Sequence, residues 1–372
     1  MRGFKIHLLL FLIWMIYACH KDHQIPKPTD SQPVDVYVYG GLWHLDASGL
    51  YPQNGDAVYY KNGGLVTLNL PANSTSPNGL AYIHSFAISG DTIYAGGAYT
   101  DEFLAPIDIA QALYWINGTV HVLPVLGGSD GPVPIIMGTA ANGKNYYELY
   151  YGENSSGTSI VNGIAVNGII KYQYNDFLNG VIVSGTDVYV FGTSAQGNNA
   201  IYYKNNQPVQ FVAQTNAKAT SITGMFLSGQ DVYACGNLSF DFGVAGYWKN
   251  GQLTILSPTT VNARTTGIVI NGKDVYIAGY IETGNIIPGT VNSPVHAAVL
   301  WKNGVMTTLS SPAYDSYTTN IVASKNDIYI GGYSGPDSAF TVYWKNGAPV
   351  KFKIAPKDSL LVSGVVVVPK NK

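Results

Sequence analysis

Acids and histidines that stand outside any repeated pattern are where chemistry would first be sought in this chain of 372 residues. Glycoside hydrolysis needs two carboxyl groups facing each other across the scissile bond, roughly 5 to 10 Å apart. Asp46, Asp101, Glu102, Glu153, Glu282 and Asp315 are the candidates, and their spacing forms no recognisable pair. His44, His84 and His296 could bind a metal, but no HxH or HExxH spacing joins them, so they read as surface or packing residues and no metal is predicted. The glycine pairs end strand-like runs and precede no helix pattern, which leaves no phosphate loop and no cofactor to expect. Cys235, inside DVYACG, reads as a small buried hydrophobe, and with Cys19 as the other cysteine there is no disulfide framework. Aromatic residues that break the repeat are better candidates for contact: Trp43, Tyr51, Tyr99, Phe103, Phe240, Phe242, Tyr314 and Tyr317 suit stacking on sugars or peptide side chains.

Composition narrows the classes. At 46% hydrophobic and 11% charged residues the chain has ample material for a large core. The net charge is −2 and no run of Lys and Arg interleaves with aromatics, so a nucleic-acid partner is not expected.

The elements that must position these residues are repeats. An acid or Asn, an apolar residue and Tyr running into Gly recurs at Asp35, Asp91, Asn145, Asp187, Asp231, Asp274 and Asp327, a mean period of about 49 residues. Each copy is followed by an aromatic and Lys-Asn-Gly or a variant, at Asn62, Asn117, Asn167, Asn205, Asn250, Asn303 and Asn346. Asn-Gly between two alternating runs is the strongest short hairpin signal, because both central residues of a type I′ turn need positive φ. A strand such as TGMFLSGQD precedes the acid, so each unit holds four strands, and Val, Ile, Tyr and Thr alternate at period two. Seven four-stranded antiparallel units with no covering helix can hide their faces only by packing around an axis. The predicted fold is therefore all-β, a single seven-bladed β-propeller over residues 34–372. Its final strand, LLVSGVVVV, should complete the first blade, which begins at Asp35 without a first strand of its own. The repeated aspartates are turn residues on this reading.

Loop length separates two faces. Links between first and second and between third and fourth strands are short, whereas the long stretches Leu42 to Asp56, Ala98 to Gln111, Pro124 to Pro134, Ile281 to His296 and Ser310 to Thr319 all belong to the opposite face. A site is expected there, near the axis. Aligning the repeats places His84, Met137, Asn179, Thr223, Thr266, Thr319 and Ser363 at the entry to each first strand, rimming the channel mouth. Trp43, Tyr99, Glu153, Thr193, Asn237, Tyr280 and Tyr333 should stand just outside them. The predicted ligand-binding set is Trp43, His84, Tyr99, Glu153, Asn179, Asn237, Tyr280 and Tyr333, with no catalytic residue.

Three resemblances add to this. The start, with Arg2 and Lys5 before an apolar run from Leu8 to Ile16, has the form of an export signal, and Ile16-Tyr17-Ala18-Cys19 resembles the lipobox of bacterial lipoproteins. That resemblance implies a signal peptide over 1–18, acylated Cys19 and a flexible tether over 19–33. The Lys21-Asp22 pair after it is similar to surface-export signals of outer-membrane lipoproteins in glycan-using Gram-negative bacteria, implying lipid anchorage in the outer membrane at the cell surface, with the periplasmic face as the alternative. The paired glycines and the Trp of the next strand resemble kelch repeats, although Trp115, Trp248, Trp301 and Trp344 stand directly before the Asn-Gly turn. Kelch-like folds host both enzymes and binding modules. The expected function is a non-catalytic envelope binding module holding a glycan or an envelope protein. The alternatives are a glycan hydrolase or lyase on the same face, using Glu153, Asp101, Glu102 or Glu282 with His84 or His296, and a structural subunit of an envelope complex.

Overall fold

The computed structural model describes residues 33–46, 52–72, 74, 76–100, 111–124, 133–153, 160–195, 199–211, 217, 219–240, 242–287, 294–311, 313–335, 341–352, 354–355 and 357–370. The export signal, Cys19 and the tether up to Gln32 lie outside them, as do Tyr51, Asp101, Glu102 and Phe103. No helix among the described residues is long and apolar enough to cross a membrane.

The described residues are all-β, with twenty-eight strands in six hydrogen-bonded sheets. Five sheets have four antiparallel strands each, over residues 133–174, 177–210, 219–255, 263–308 and 316–351. The sixth has eight strands. In it, Asp358–Pro369, Val34–Leu45, Pro52–Lys61 and Gly64–Thr67 form one run, and Leu80–Ser89, Thr92–Thr100, Gln111–Ile116 and Thr119–Val122 form another. A single parallel pair, Gly55 with Leu80, joins the two runs. Seven four-stranded blades were expected, and six sheets are found, one of them eight-stranded. The C-terminal strand pairs antiparallel with Val34–Leu45 from Val34–Pro369 to His44–Asp358. The inner strands, Leu80–Ser89, Val133–Asn142, Phe177–Ser184, Ala219–Ser228, Ala263–Asn271, Ser316–Ser324 and Asp358–Pro369, pack one against the next, and Asp358–Pro369 packs against both Ser316–Ser324 and Leu80–Ser89. The fold is β-propeller-like.

The turns form as the sequence predicts. Asn62, Asn117, Asn167, Asn205, Asn250, Asn303 and Asn346 all have φ between 49° and 52°, and the residue after each is also at positive φ. The two repeated anchors, far apart in sequence, are halves of one unit. Each of these Asn side chains accepts the backbone N–H at the start of the second strand, as in Val36 to Asn62 and Val232 to Asn250, both 2.9 Å. In five copies its Nδ2 donates to the repeated Asp at 2.7–2.8 Å, while the preceding Lys pairs with that Asp and lies over the Tyr two residues on. Recurrence of the whole unit accounts for the aspartates without any catalytic role.

Trp115, Trp248, Trp301 and Trp344 are buried to 1% exposure or less. Trp115 Nε1 donates to Asn69 O, Trp344 Nε1 to Leu309 O, and Trp248 stacks on Phe211, so each reaches the preceding four-stranded run. Cys235 is fully buried, and burial pushes its thiol up to about 11, the inert hydrophobe expected.

Candidate functional site

The seven residues singled out by repeat alignment share a structural property. Pairing between each inner strand and its neighbour skips one residue, and the skipped residues are His84, Met137, Asn179, Thr223, Thr266, Thr319 and Ser363. Each is the extra residue of a β-bulge, which bends the strand and re-aims a side chain. All but Asn179 line one cavity of about 290 Å³, to which all seven inner strands contribute. One correction applies to their depth. They lie within the strands, not at the entry: Leu80–Ser89 begins four residues before His84 and Ala219–Ser228 four before Thr223. The stretch ahead of each bulge continues the pairing, so the ring sits inside the channel and not on its rim.

Three of the six polar residues of this ring, Asn179, Thr223 and Thr266, bond to the next inner strand, and residues beside the ring do the same. Ser85 and Thr139 hydroxyls are 2.7 Å apart, Thr223 and Thr265 2.7 Å, and Thr266 and Thr318 2.6 Å. Asn179 Nδ2 donates to Ser221 Oγ and Ile222 O, and Asn320 exchanges two bonds of 2.9 Å with the backbone of Val365. These bonds link strands that share no ladder. Asn179, predicted as a ligand contact, is thus a fastener between sheets. His84 stands edge-on to Tyr82 at 4.6 Å, and burial pulls its pKa down to about 4, so the imidazole is neutral at ordinary pH.

The outer ring is only partly brought together. In register, Thr193, Asn237, Tyr280 and Tyr333 each follow the glycine paired with the residue before the bulge, but the corresponding residues in other runs are Gly41, Ala98 and Tyr151. Tyr99 is one residue off, and a slip of one turns a side chain to the opposite face. It is 2% exposed, packed against Gly79, and does not line the face. Trp43 is two residues off and half-buried, its indole lying over Gly55 and Gly41. Glu153 ends its strand, paired with Val133 and Ile160.

Three groups of side chains do gather on the long-loop face. Tyr280, His296, Tyr317 and Tyr333 form an aromatic cluster with centroids 4.7–5.4 Å apart. Asp315 holds His296 through its Nδ1 at 2.9 Å and through its backbone N–H at 2.8 Å. Burial raises the pKa of Tyr280, Tyr317 and Tyr333, so all three stay protonated. His44 bridges Asp358 at 2.9 Å and Asp56 at 3.3 Å; burial alone would lower its pKa, but these two carboxylates raise it.

The third group is a pocket of about 480 Å³ built from three sheets: Thr193 from one, Ser221, Asn237, Phe240 and Phe242 from the next, and Asn262 and Arg264 from the third. Phe242 is 50% exposed, and among the described residues no carboxylate lines the pocket. Asn237 accepts the Thr265 N–H at 2.9 Å. Asn262 accepts the Gly243 N–H and donates to Glu282. Of the acids named for an enzyme, Glu282 is engaged by Asn262, while Asp101 and Glu102 lie outside the described residues. Among the described residues no group of three His, Cys, Asp or Glu side chains could hold a metal. Sequence reasoning passed over Arg264; its signal was that it is the single arginine after Arg2.

No protein-family model matches the chain, and no curated protein matches it. Solved structures do. YCF48 bound to a D1 peptide aligns with 84% of this chain and 96% of its own, at 12% identity and a TM-score of 0.43. A Trypanosoma rangeli sialidase mutant displaying trans-sialidase activity aligns with 85% of this chain and 68% of its own, at 9% identity and a TM-score of 0.46. The β-propeller domain of the Trilobed protease from Pyrococcus furiosus covers 71% and 81%, at 8% identity and a TM-score of 0.42. The strand pairing of this chain carries the fold assignment independently of them.

Proposed function

We propose that this chain is a lipid-anchored binding module of a bacterial outer membrane, a closed seven-bladed propeller that holds a glycan on its long-loop face without cleaving it. The blade count is supported by the single bridge within the eight-stranded sheet, which separates into two four-stranded blades if that bridge is set aside. Closure is supported by the pairing of Asp358–Pro369 with Val34–Leu45. Acylated Cys19 and the tether over 19–33 would hold the domain above the lipid.

The observation that carries the functional reading is the composition of the three-sheet pocket. Phe240 and Phe242 offer apolar faces, Thr193, Ser221, Asn237 and Asn262 offer hydroxyls and amides, and among the described residues no acid lines the pocket to protonate a leaving group. Such a surface suits a sugar ring, which has both apolar faces and a rim of hydroxyls.

The test is a thermal-shift and calorimetric screen of residues 20–372 against soluble polysaccharides, with a parallel assay for released reducing ends. A glycan-dependent rise that Phe242→Ala abolishes, without release of reducing ends, is the expected result. Released reducing ends would overturn the non-catalytic part, and silence across the screen would shift the reading to an envelope protein partner. Incorporation of labelled fatty acid that Cys19→Ser removes tests the anchor.

A further inference from the structure

We propose that the three-sheet pocket recognises the carboxylate of an acidic sugar through Arg264, which makes the ligand a uronate-bearing glycan. This rests on the reading of the long-loop face as a glycan site and narrows it to one chemical class.

Charge placement is the argument. The lysines of the five turn units are each tied to the Asp of their own unit. Arg264, the only arginine beyond Arg2, is exposed, lines the pocket and forms no ion pair with a described acid. The nearby carboxylate that could have neutralised it, Glu282, is engaged by Asn262, whose own oxygen is taken by the Gly243 N–H. Among the described residues no acid lines the pocket, and the guanidinium of Arg264 stands in its lining without an ion-pair partner, while the Glu282 carboxylate is held beside it by Asn262.

The remaining polar groups point the same way. Asn237 spends its Oδ1 on Thr265, which leaves its Nδ2 as a donor, and Ser221 Oγ already accepts from Asn179, which leaves its hydroxyl proton to donate. A guanidinium, an amide N–H and a hydroxyl offer donors to an anionic oxygen pair, and Arg matches a planar carboxylate in bidentate geometry. One unit charge fits one carboxylate; a phosphate monoester, at nearly twice the charge, would ask for a second cation, and among the described residues the lining has none. Phe242 at 50% exposure supplies the apolar platform for the ring that bears the carboxylate. In register Arg264 stands directly across from Tyr280, so the anion site borders the aromatic cluster.

The experiment compares binding of residues 20–372 to oligogalacturonate, oligoalginate and oligoglucuronate with binding to their methyl esters, which keep the sugar chain and remove the charge. At least one acid form should bind, and esterification should weaken it about tenfold or more. Arg264→Gln should remove the preference for the acid form over its ester while leaving the melting temperature unchanged, since the side chain is exposed. Equal binding of acid and ester, a preference that survives Arg264→Gln, or equal binding of dextran sulfate overturns the carboxylate assignment. If neutral glycans bind in a Phe242-dependent way and no acid form is preferred, the glycan reading stands and this inference fails. If no glycan of either kind binds, both fail.

Discussion

Asn346 donates its Nδ2–H to Asp327 Oδ1 at 2.7 Å and accepts the Ile328 N–H at 2.8 Å, while Asp327 is 2% exposed. Asn346 thus serves three needs at once: positive φ at the turn, a cap for the second strand and a partner for a buried carboxylate. Lys345 completes the neutralisation of that carboxylate at 2.9 Å.

Asn346→Ala is therefore expected to cost about 2–3 kcal/mol, combining loss of a bond to a buried charge with an alanine forced to positive φ. Chemical denaturation measures it. The same change at Asn250 should cost less, because Asp231 is solvated and can take water in place of the amide. Equal losses at both sites would show that turn geometry, and not the buried acid, dominates.

Gly279 allows the Trp301 ring to lie against its own sheet. A Cβ there would fall 2.1 Å from Arg264 O and 2.6 Å from Trp301 Cζ3. Gly279→Ala should destabilise by at least about 2 kcal/mol, because neither a backbone carbonyl nor a buried indole can yield easily. Gly272→Ala, at φ +63° with nothing within 4 Å of the new carbon, should cost only about 1 kcal/mol. A reversal of that order in urea midpoints would contradict the packing described.

Glu148 occupies a position where the other runs place Val38, Ala95, Val190, Ala234, Ile277 and Ile330. It is 1% exposed, and burial pushes its pKa up to about 8. Its folded pKa lies above the unfolded value near 4.5, so the folded state holds the extra proton between those limits. Stability should then fall as pH rises from about 5 to 8, by up to roughly 1.4 kcal/mol per unit. Glu148→Gln should remove that slope. An unchanged pH profile in the variant would mean the carboxyl is not the titrating group.

His84 works with the opposite sign. Its folded pKa of about 4 lies below the ordinary 6.5, so the folded state resists protonation. Stability contributed by the neutral ring is present above pH 6.5 and is lost as pH falls toward 4. His84→Gln should flatten the acid limb of the melting curve against pH; a variant as acid-sensitive as the parent would place the effect elsewhere.

Much of this molecule was legible because each repeat solves the same local problem. Asn-Gly turns require positive φ wherever they occur, so Asn62 to Asn346 could be assigned one by one. The bulge residues emerged from alignment because bulge, glycine and strand recur in phase, although depth in the channel did not. Tyr99 was misplaced by a single position, an error that the two-residue period of a strand converts into the wrong face.

Local propensity determined the strands, the turns and the ring of bulge residues, since these depend on neighbours within a hairpin. Contacts between sheets were decided only by the tertiary structure: the Thr223–Thr265 and Asn320–Val365 bonds, the burial of Glu148 and the assembly of Thr193, Asn237, Phe242 and Arg264 into one pocket. The pocket residues come from three repeats, Thr193 from one, Asn237 and Phe242 from the next and Arg264 from the third. The pattern of a strand says which of its faces is covered, but only the packing of one sheet on the next says which side chains meet there.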